Sequence, residues 1–307
     1  MANDVCLIVN PSAGGGRARR IAAAVEQRLR AGGPRVRSVI ATDLEHARSA
    51  AAGAAARGEL LALLGGDGLV GAIADVARHH DGATLGVLPC GSGNDLARVL
   101  AIPSDPLAAC AVIASGRRVP LDLGEVHGEG ADGGRAFVGI ASFGFDSDAN
   151  RFANEAPRRL GRLIYAYGAL RALFAWRPAR FAVEVDGEAV GFSGYSVAAA
   201  NSKVYGGGMY AAPSARLDDG LLDVVYLEDV SRLAFLTRIM PKAFRGAHVR
   251  EPSVHELRGR ELRFSADRPF EIYADGDPIG VLPARIRALP AAVHVLVPAQ
   301  TAADWRR

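Results

Sequence analysis

The chain has 307 residues, half of them hydrophobic and 22% charged, enough to bury a substantial core and to form two domains rather than one. No window approaches the uncharged apolar run of a membrane span, and the acidic start Met1-Ala2-Asn3-Asp4 does not read as a signal peptide. Cys6, Cys90 and Cys110 are too few and too scattered for a disulfide framework or a zinc site, and read as small buried hydrophobes.

In chain order, Val5–Val9 reads as a strand, ended by Asn10-Pro11-Ser12 and three glycines, and Arg17–Leu29 has helical spacing. Val36–Ile40 reads as a strand and Leu44–Ala56 as an Ala-rich helix. Leu60–Leu64 is again a strand, meeting Gly65-Gly66-Asp67-Gly68 and a helix over Val70–Ala77. Thr84–Leu88 runs into Pro89-Cys90-Gly91-Ser92-Gly93-Asn94-Asp95 and a short helix toward Leu100. Strand, glycine turn and helix in repetition predict a parallel sheet with crossover helices. The three glycine turns fall at the carboxyl edge of that sheet, where such folds bind ligands.

Near residues 119–124 the pattern changes. Short alternating runs follow: Arg180–Val185, Tyr195–Ala200, Leu222–Tyr226, Leu262–Phe264, Phe270–Tyr273 and Val293–Val297. Asp186-Gly187 and Asp275-Gly276 are hairpin turns. The expectation is an α/β domain over 1–122 and a mainly antiparallel β-sandwich over 123–307, whose C-terminal end packs back on the first domain. Helical spacing recurs near 158–176 and 231–244.

Glycines at strand ends let backbone N–H groups approach phosphate oxygens. Candidate phosphate contacts are Asn10, Pro11, Ser12 and Gly14 in the first turn, and Gly65, Gly66, Asp67 and Gly68 in the second. The third supplies Gly91, Ser92, Gly93, Asn94 and Asp95. Each turn alone is readable as an ordinary connection or helix cap. A carboxylate such as Asp67 repels phosphate unless a cation intervenes, which points to magnesium.

Asn10-Pro11-Ser12-Ala13-Gly14, Gly65-Gly66-Asp67-Gly68 and Leu88-Pro89-Cys90-Gly91-Ser92-Gly93-Asn94-Asp95 resemble the signature blocks of the diacylglycerol kinase catalytic family. Further blocks continue the resemblance at Gly206-Gly207-Gly208-Met209, Ala212 to Val224 and Asp275-Gly276-Asp277, so it spans nearly the whole chain. It implies a nucleotide-binding domain like those of phosphofructokinases and NAD kinases, then a β-sandwich, with the site in the cleft between them. By position Asn10, Thr42, Gly66, Asp67, Gly68 and Ser92 would contact ATP. Asp219, with the carbonyls of Arg216 and Leu221, would hold a structural magnesium ion. Asp275 and Asp277 would jointly deprotonate a lipid hydroxyl, with Asp67 serving the phosphate side.

Three positions depart from the family pattern. Leu69 stands where bacterial relatives carry threonine, Ala72 replaces a glutamate, and Asp277 replaces a glutamate one methylene longer.

Net charge is only +3, but residues 151–180 hold seven arginines against the single acid Glu155, a local +6 that leaves the rest near −3. There Leu160, Leu163, Ile164, Tyr167, Leu170 and Phe174 follow helical spacing, punctuated by Arg158, Arg159, Arg162, Arg171 and Arg177. The segment reads as a helix packed on the sandwich with a solvated arginine face, as a basic amphipathic helix at the cleft mouth meeting an anionic membrane, or as both at once. The expected protein is a cytoplasmic, peripherally membrane-associated, ATP- and magnesium-dependent lipid kinase, with a homodimer left open. A nucleic-acid partner is not expected, because no recognised nucleic-acid fold surrounds the arginines. The alternatives are a kinase of a soluble hydroxyl substrate, as in NAD kinases, and a catalytically weak sensor of nucleotide or lipid.

Overall fold

In the computed structural model, which describes residues 4–128, 133–157 and 164–300, the first part of the chain alternates strand and helix. β1 (Val5–Val9), α1 (Ala13–Arg30), β2 (Val36–Ile40) and α2 (Leu44–Ala56) come first. β3 (Leu60–Gly65), α3 (Asp67–Ala77), β4 (Thr84–Pro89), α4 (Asp95–Val99) and α5 (Pro106–Ser115) complete it. The strands pair in parallel in the order β2-β1-β3-β4. Every residue of β1 and β4 is buried, as expected of strands covered by helices on both faces. Within α1 the regular right-handed turns begin at Arg17, where the helical spacing starts. Gly14, Gly15 and Gly16 all have positive φ, a run of left-handed residues that only glycine adopts cheaply.

The second part is mainly antiparallel. It comprises β5 (Arg117–Gly128), β6 (Arg135–Phe137), β7 (Ile140–Gly144), β8 (Ala179–Val185), β9 (Glu188–Ala200), the two-residue pair β10 (Val204–Tyr205) and β11 (Met209–Tyr210), and β12 (Leu222–Glu228). After these come β13 (Val254–Gly259), β14 (Glu261–Ala266), β15 (Glu271–Ala274), β16 (Asp277–Val281) and β17 (Ala284–Val297). The helices α6 (Phe145–Glu155) and α7 (Ile164–Ala175) lie between β7 and β8. After β12, α8 (Arg232–Ala234), a π-helical turn (Phe235–Ile239) and α9 (Met240–Ala243) run consecutively. Among the described residues no helix is long and apolar enough to cross a membrane.

Two strands join the halves. Near its start β17 pairs with β14, and near its end His294 and Val295 lie parallel to Thr84 and Leu85 of β4. Along its length it pairs antiparallel with β5. Residue 122 therefore falls inside a continuous strand: Leu121 and Leu123 belong to the first core and Val126 to the second. Arg78 at the end of α3 binds Asp75 and Glu125 and donates to the Gly134 carbonyl, fastening α3 to the seam.

The sequence pattern missed α5 and α6. In α6 the apolar stripe Phe145, Ala149, Phe152 and Ala153 does have helical spacing, but it is short and half of it is alanine, which makes it a weak signal beside the strand that precedes it. The helix α7 also differs from its packed reading. Among its described side chains Ala172 and Leu173 are buried, as is Trp176 just beyond it, whereas Tyr167, Leu170 and Phe174 face outward. Leu160, Leu163, Arg158, Arg159 and Arg162 lie outside the described residues.

Candidate active site

The three glycine turns meet backbone to backbone. Asn10 N–H donates to the Leu64 carbonyl and Cys90 N–H to the Gly65 carbonyl. A Cβ on Gly14 would lie 2.7 Å from the Cys90 carbonyl oxygen, and one on Gly91 would lie 2.5 Å from Gly66 Cα. No side chain fits at either contact. Asn94 takes a left-handed conformation (φ 54°), and its Oδ1 accepts the Gly91 N–H at 2.7 Å while its Nδ2 donates back to the Gly91 carbonyl. Its amide is therefore occupied in shaping the third turn. Asn10 Oδ1 likewise accepts from the N–H and hydroxyl of Ser12. Thr42 follows β2 next to these turns, its hydroxyl bonded to Asp43. Ser12, Thr42 and Ser92 are exposed at this edge.

Gly91→Ala is expected to destabilise the protein by about 1–3 kcal/mol, the usual cost of overpacking, and to abolish nucleotide binding. Denaturant unfolding and a fluorescent nucleotide titration check both; a stable variant that still binds would show that the turns separate easily.

Asp67 opens α3, and its Oδ1 accepts the Leu96 N–H at 3.3 Å. Burial, then the charge of Asp95, raises its pKa. Asp95 Oδ2 accepts the Gly207 N–H at 2.9 Å, which brings the Gly206–Gly208 loop of the second domain onto α4. Asp95 Oδ1 is buried without a hydrogen-bond partner, and the nearest cation is Arg98 Nε at 3.9 Å. A Cβ on Gly93 would lie within 2.9 Å of Asp67 Oδ2 and 3.3 Å of Asp95 Oδ2. The two carboxylates thus flank a glycine.

From the other domain, the β15–β16 hairpin sets Asp275 and Asp277 against α3. Asp275 (φ 52°) and Gly276 (φ 94°) are both left-handed, the requirement of a tight two-residue hairpin. Asp275 Oδ2 accepts from Val138 N–H and Oδ1 from Gly139 N–H, each at 2.8 Å. A Cβ on Gly71 would lie 2.5 Å from Asp275 Oδ2, and one on Gly68 would lie 3.4 Å from Asp277 Oδ2. These glycines are one helical turn apart on one face of α3, so both aspartates sit over its first turns. The Asp275 carboxylate is buried, although its turn keeps some exposure, and burial pushes its pKa up to about 7 against the two N–H bonds, with Asp67 and Asp277 adding to the rise. Asp277 is exposed.

The sequence reading missed Asn201. Its side chain is fully buried, and its Nδ2 donates to the carbonyls of Asp122 and Val138 at 2.8 Å. Its backbone N–H and that of Ser202 both donate to the Gly139 carbonyl. Asn201 therefore holds the Val138–Gly139 peptide, whose N–H is one of the two that clamp Asp275, and the peptide that follows it. The only signal in sequence was an amide ending a strand, five residues before the Gly206 block.

The Asp219 loop forms a separate cluster. Asp219 Oδ1 accepts the Leu221 N–H, and its Oδ2 lies 3.9 Å from Arg258, which also binds Asp223. Arg216 lies 3.5 Å from Asp218. Asp122 is buried and accepts from Gly220 and Ala291 N–H, pinning the loop to the seam. Among the described residues no three His, Cys, Asp or Glu side chains form a ready-made metal cage. A divalent ion at Asp67 would complete its shell with phosphate oxygens and water, the habit of magnesium. The orphaned Asp95 oxygen and the mutual repulsion around Asp67 fit such an ion.

The comparisons agree with this architecture. The diacylglycerol kinase catalytic domain family matches residues 4–126, and the family described as YegS C-terminal NAD kinase beta sandwich-like domain matches residues 139–297. A diacylglycerol kinase of Mycobacterium tuberculosis (strain H37Rv) is 35% identical over 96% of this chain and 95% of its own length. One of Bacillus subtilis (strain 168) is 29% identical over 96% and 97%. A crystal structure of a putative diacylglycerol kinase from Bacillus anthracis superposes with TM-score 0.78 at 21% identity, covering 96% and 97% of the two chains. Yeast NADH kinase complexed with NADH superposes with TM-score 0.51 at 10% identity, covering 100% of this chain and 86% of that one.

Proposed function

The chain belongs to the diacylglycerol kinase family, and on that premise we propose that it moves the terminal phosphoryl group of ATP onto a hydroxyl of diacylglycerol or a similar long-chain lipid alcohol, with magnesium. The observation that carries this reading is the meeting of Asp275 and Asp277, from one domain, with the first turns of α3 beside the glycine turns of the other. Phosphoryl transfer needs positioning, charge neutralisation and an acceptor for the hydroxyl proton. The backbone N–H groups of the 10–16, 65–68 and 91–95 turns orient the phosphates. Magnesium, when bound, offsets the repulsion between Asp67 and the phosphates. Asp275, fixed by Val138 and Gly139, keeps a second lone pair on each oxygen and takes the proton as the acceptor oxygen attacks; Asp277 orients that hydroxyl.

Leu69 and Ala72 are both buried in α3. Their replacement of polar residues therefore changes packing rather than a group projecting freely into the cleft, which favours an active kinase over a weak sensor.

The purified protein, given labelled ATP, magnesium and a lipid panel in mixed micelles, is expected to label a long-chain diacyl alcohol. Labelling of NAD instead would move the protein to the soluble-hydroxyl reading. Nucleotide binding without transfer to any acceptor would sink the kinase reading altogether.

A second ion is proposed at Asp219, with the carbonyls of Arg216 and Leu221, in a structural role; the Arg258 guanidinium already neutralises part of the loop. Millimolar magnesium is expected to raise the parent's melting temperature, and Asp219→Asn to abolish the residual rise seen without nucleotide. An Asp219→Asn variant that keeps the full magnesium response would place the ion elsewhere.

A further inference from the structure

Two neighbouring segments of the second domain are apolar on both sides. In α7, Ala172 and Leu173 are buried, as is Trp176 just beyond it, while Tyr167, Leu170 and Phe174, at i, i+3 and i+7, are exposed. In the 232–244 segment Phe235, Ile239 and Ala243 face the core, and Leu233, Leu236 and Phe244 face out. Phe174 and Leu233 are the most open, at 67% and 70%. A helix apolar on every side normally has a partner on every side.

The two outward stripes form one surface. Arg232 Nη2 donates to the carbonyls of Phe174, at 3.1 Å, and Trp176, at 3.3 Å, so the end of α7 abuts α8. Trp176 and Phe235 both pack on the rings of Phe145 and Tyr195. With their inward rings on one cluster, the residues on their opposite sides share the outer face.

The charge around this face is mainly positive. Residues 164–178 contain Arg171 and Arg177, residues 231–245 contain Arg232, Arg238, Lys242 and Arg245, and neither stretch contains an acid. Glu155 pairs with Arg171, and Glu251 with Arg238 and Lys242. The exposed Asp229 lies beside Arg232, so among the described residues three acids against six cations leave an excess of three. A second copy docked on this face by two-fold symmetry would bring like charges together. An anionic bilayer takes both components, the apolar side chains between its headgroups and the cations against its phosphates.

We propose that this face, built from α7 and the 232–244 segment, is the surface by which the protein docks on anionic membranes. The inference deepens the lipid-kinase reading by naming where the acceptor is met, and its test needs neither nucleotide nor acceptor. The full chain is sedimented with vesicles of phosphatidylglycerol and phosphatidylcholine in equal parts, and with phosphatidylcholine alone. Binding is expected on the anionic vesicles, at least about tenfold weaker on the neutral ones and weakened by salt. Phe174→Ser with Leu233→Ser is expected to cut anionic-vesicle binding at least about tenfold, at an unchanged circular-dichroism melt. Arg177→Glu with Arg245→Glu should do the same, since each cation near such a surface is worth about fivefold. Leu107→Ser, an exposed apolar position on α5, is the control and should bind as the parent does. Parent-like binding by the serine pair, or a parent that ignores vesicles, overturns the proposal. So does a parent dimer in sedimentation velocity that the serine pair splits, because the face is then a subunit interface. Vesicle binding without phosphate transfer to any lipid would leave docking standing and remove the kinase reading; the reverse result separates them the other way.

Discussion

Asp275→Asn is expected to lower kcat by about 10²- to 10⁴-fold, the usual weight of a positioned general base, and to remove an acidic limb from the pH–rate profile. A carboxylate whose pKa is pushed up to about 7 by burial is mostly protonated below that pH and cannot take the hydroxyl proton. The parent's rate should therefore fall about tenfold per pH unit below 7, as expected for one essential deprotonated group. The same shift fixes a stability effect. The folded value lies above the ordinary 3.8, so across the window from there to about 7 the native state holds a proton that the unfolded chain has lost. Stability thus declines as pH rises through that window and levels off above it. Asparagine removes the dependence, although it leaves one of the Val138 and Gly139 N–H groups without an acceptor, at a cost of about 1–3 kcal/mol. Asp277→Asn should cost less, about 10- to 100-fold, because an exposed group that orients without accepting the proton forfeits positioning alone. If the acidic limb survives in Asp275→Asn and vanishes in Asp277→Asn, the two roles are reversed.

For Asp67→Asn the expected result is a more stable protein that is a poor enzyme. Burial and the Asp95 charge raise the Asp67 pKa, so its ionised form is costly where it sits. The amide keeps an oxygen for the Leu96 N–H and removes that cost, and the melting temperature at neutral pH should rise. Turnover should fall at least about a hundredfold, since charge stabilisation through a metal is worth several kcal/mol. Binding of a fluorescent ATP analogue should also lose most of its magnesium dependence. An unchanged magnesium response would falsify the assignment of Asp67 to the cation.

Much of this site was legible because phosphate chemistry constrains short stretches of backbone. Glycines at strand ends leave a local signature, and so does the Asp275-Gly276 hairpin, whose two left-handed residues limit what can stand there. The strands of the first sheet were equally plain, as continuous apolar runs between breakers. Less was legible where the function of a residue depends on a distant partner. Asn201 matters for the backbone carbonyls it reaches, 79 and 63 residues earlier in the chain. Asp95 stands in one of the glycine turns, and only the folded chain shows that its Oδ2 receives the N–H of Gly207 from the other domain.

The outer face of α7 marks the division most clearly. Periodicity alone identified Tyr167, Leu170 and Phe174 as a helical stripe, and composition identified the surrounding arginines. Which side of that helix faces the core is a tertiary matter. Gly168, where a Cβ would lie 2.4 Å from the Ala149 carbonyl, lets α6 approach closely on one side. That contact buries Ala172 and Leu173 and turns the larger side chains outward. The sequence by itself determined the strands of the first sheet, the glycine turns and the acidic residues beside them, because these depend on neighbours within a few positions. Only the tertiary structure decided which carboxylates share a cleft, which backbone groups hold them, and which apolar surface is left uncovered, because those depend on how the two long strands β5 and β17 bring distant segments together.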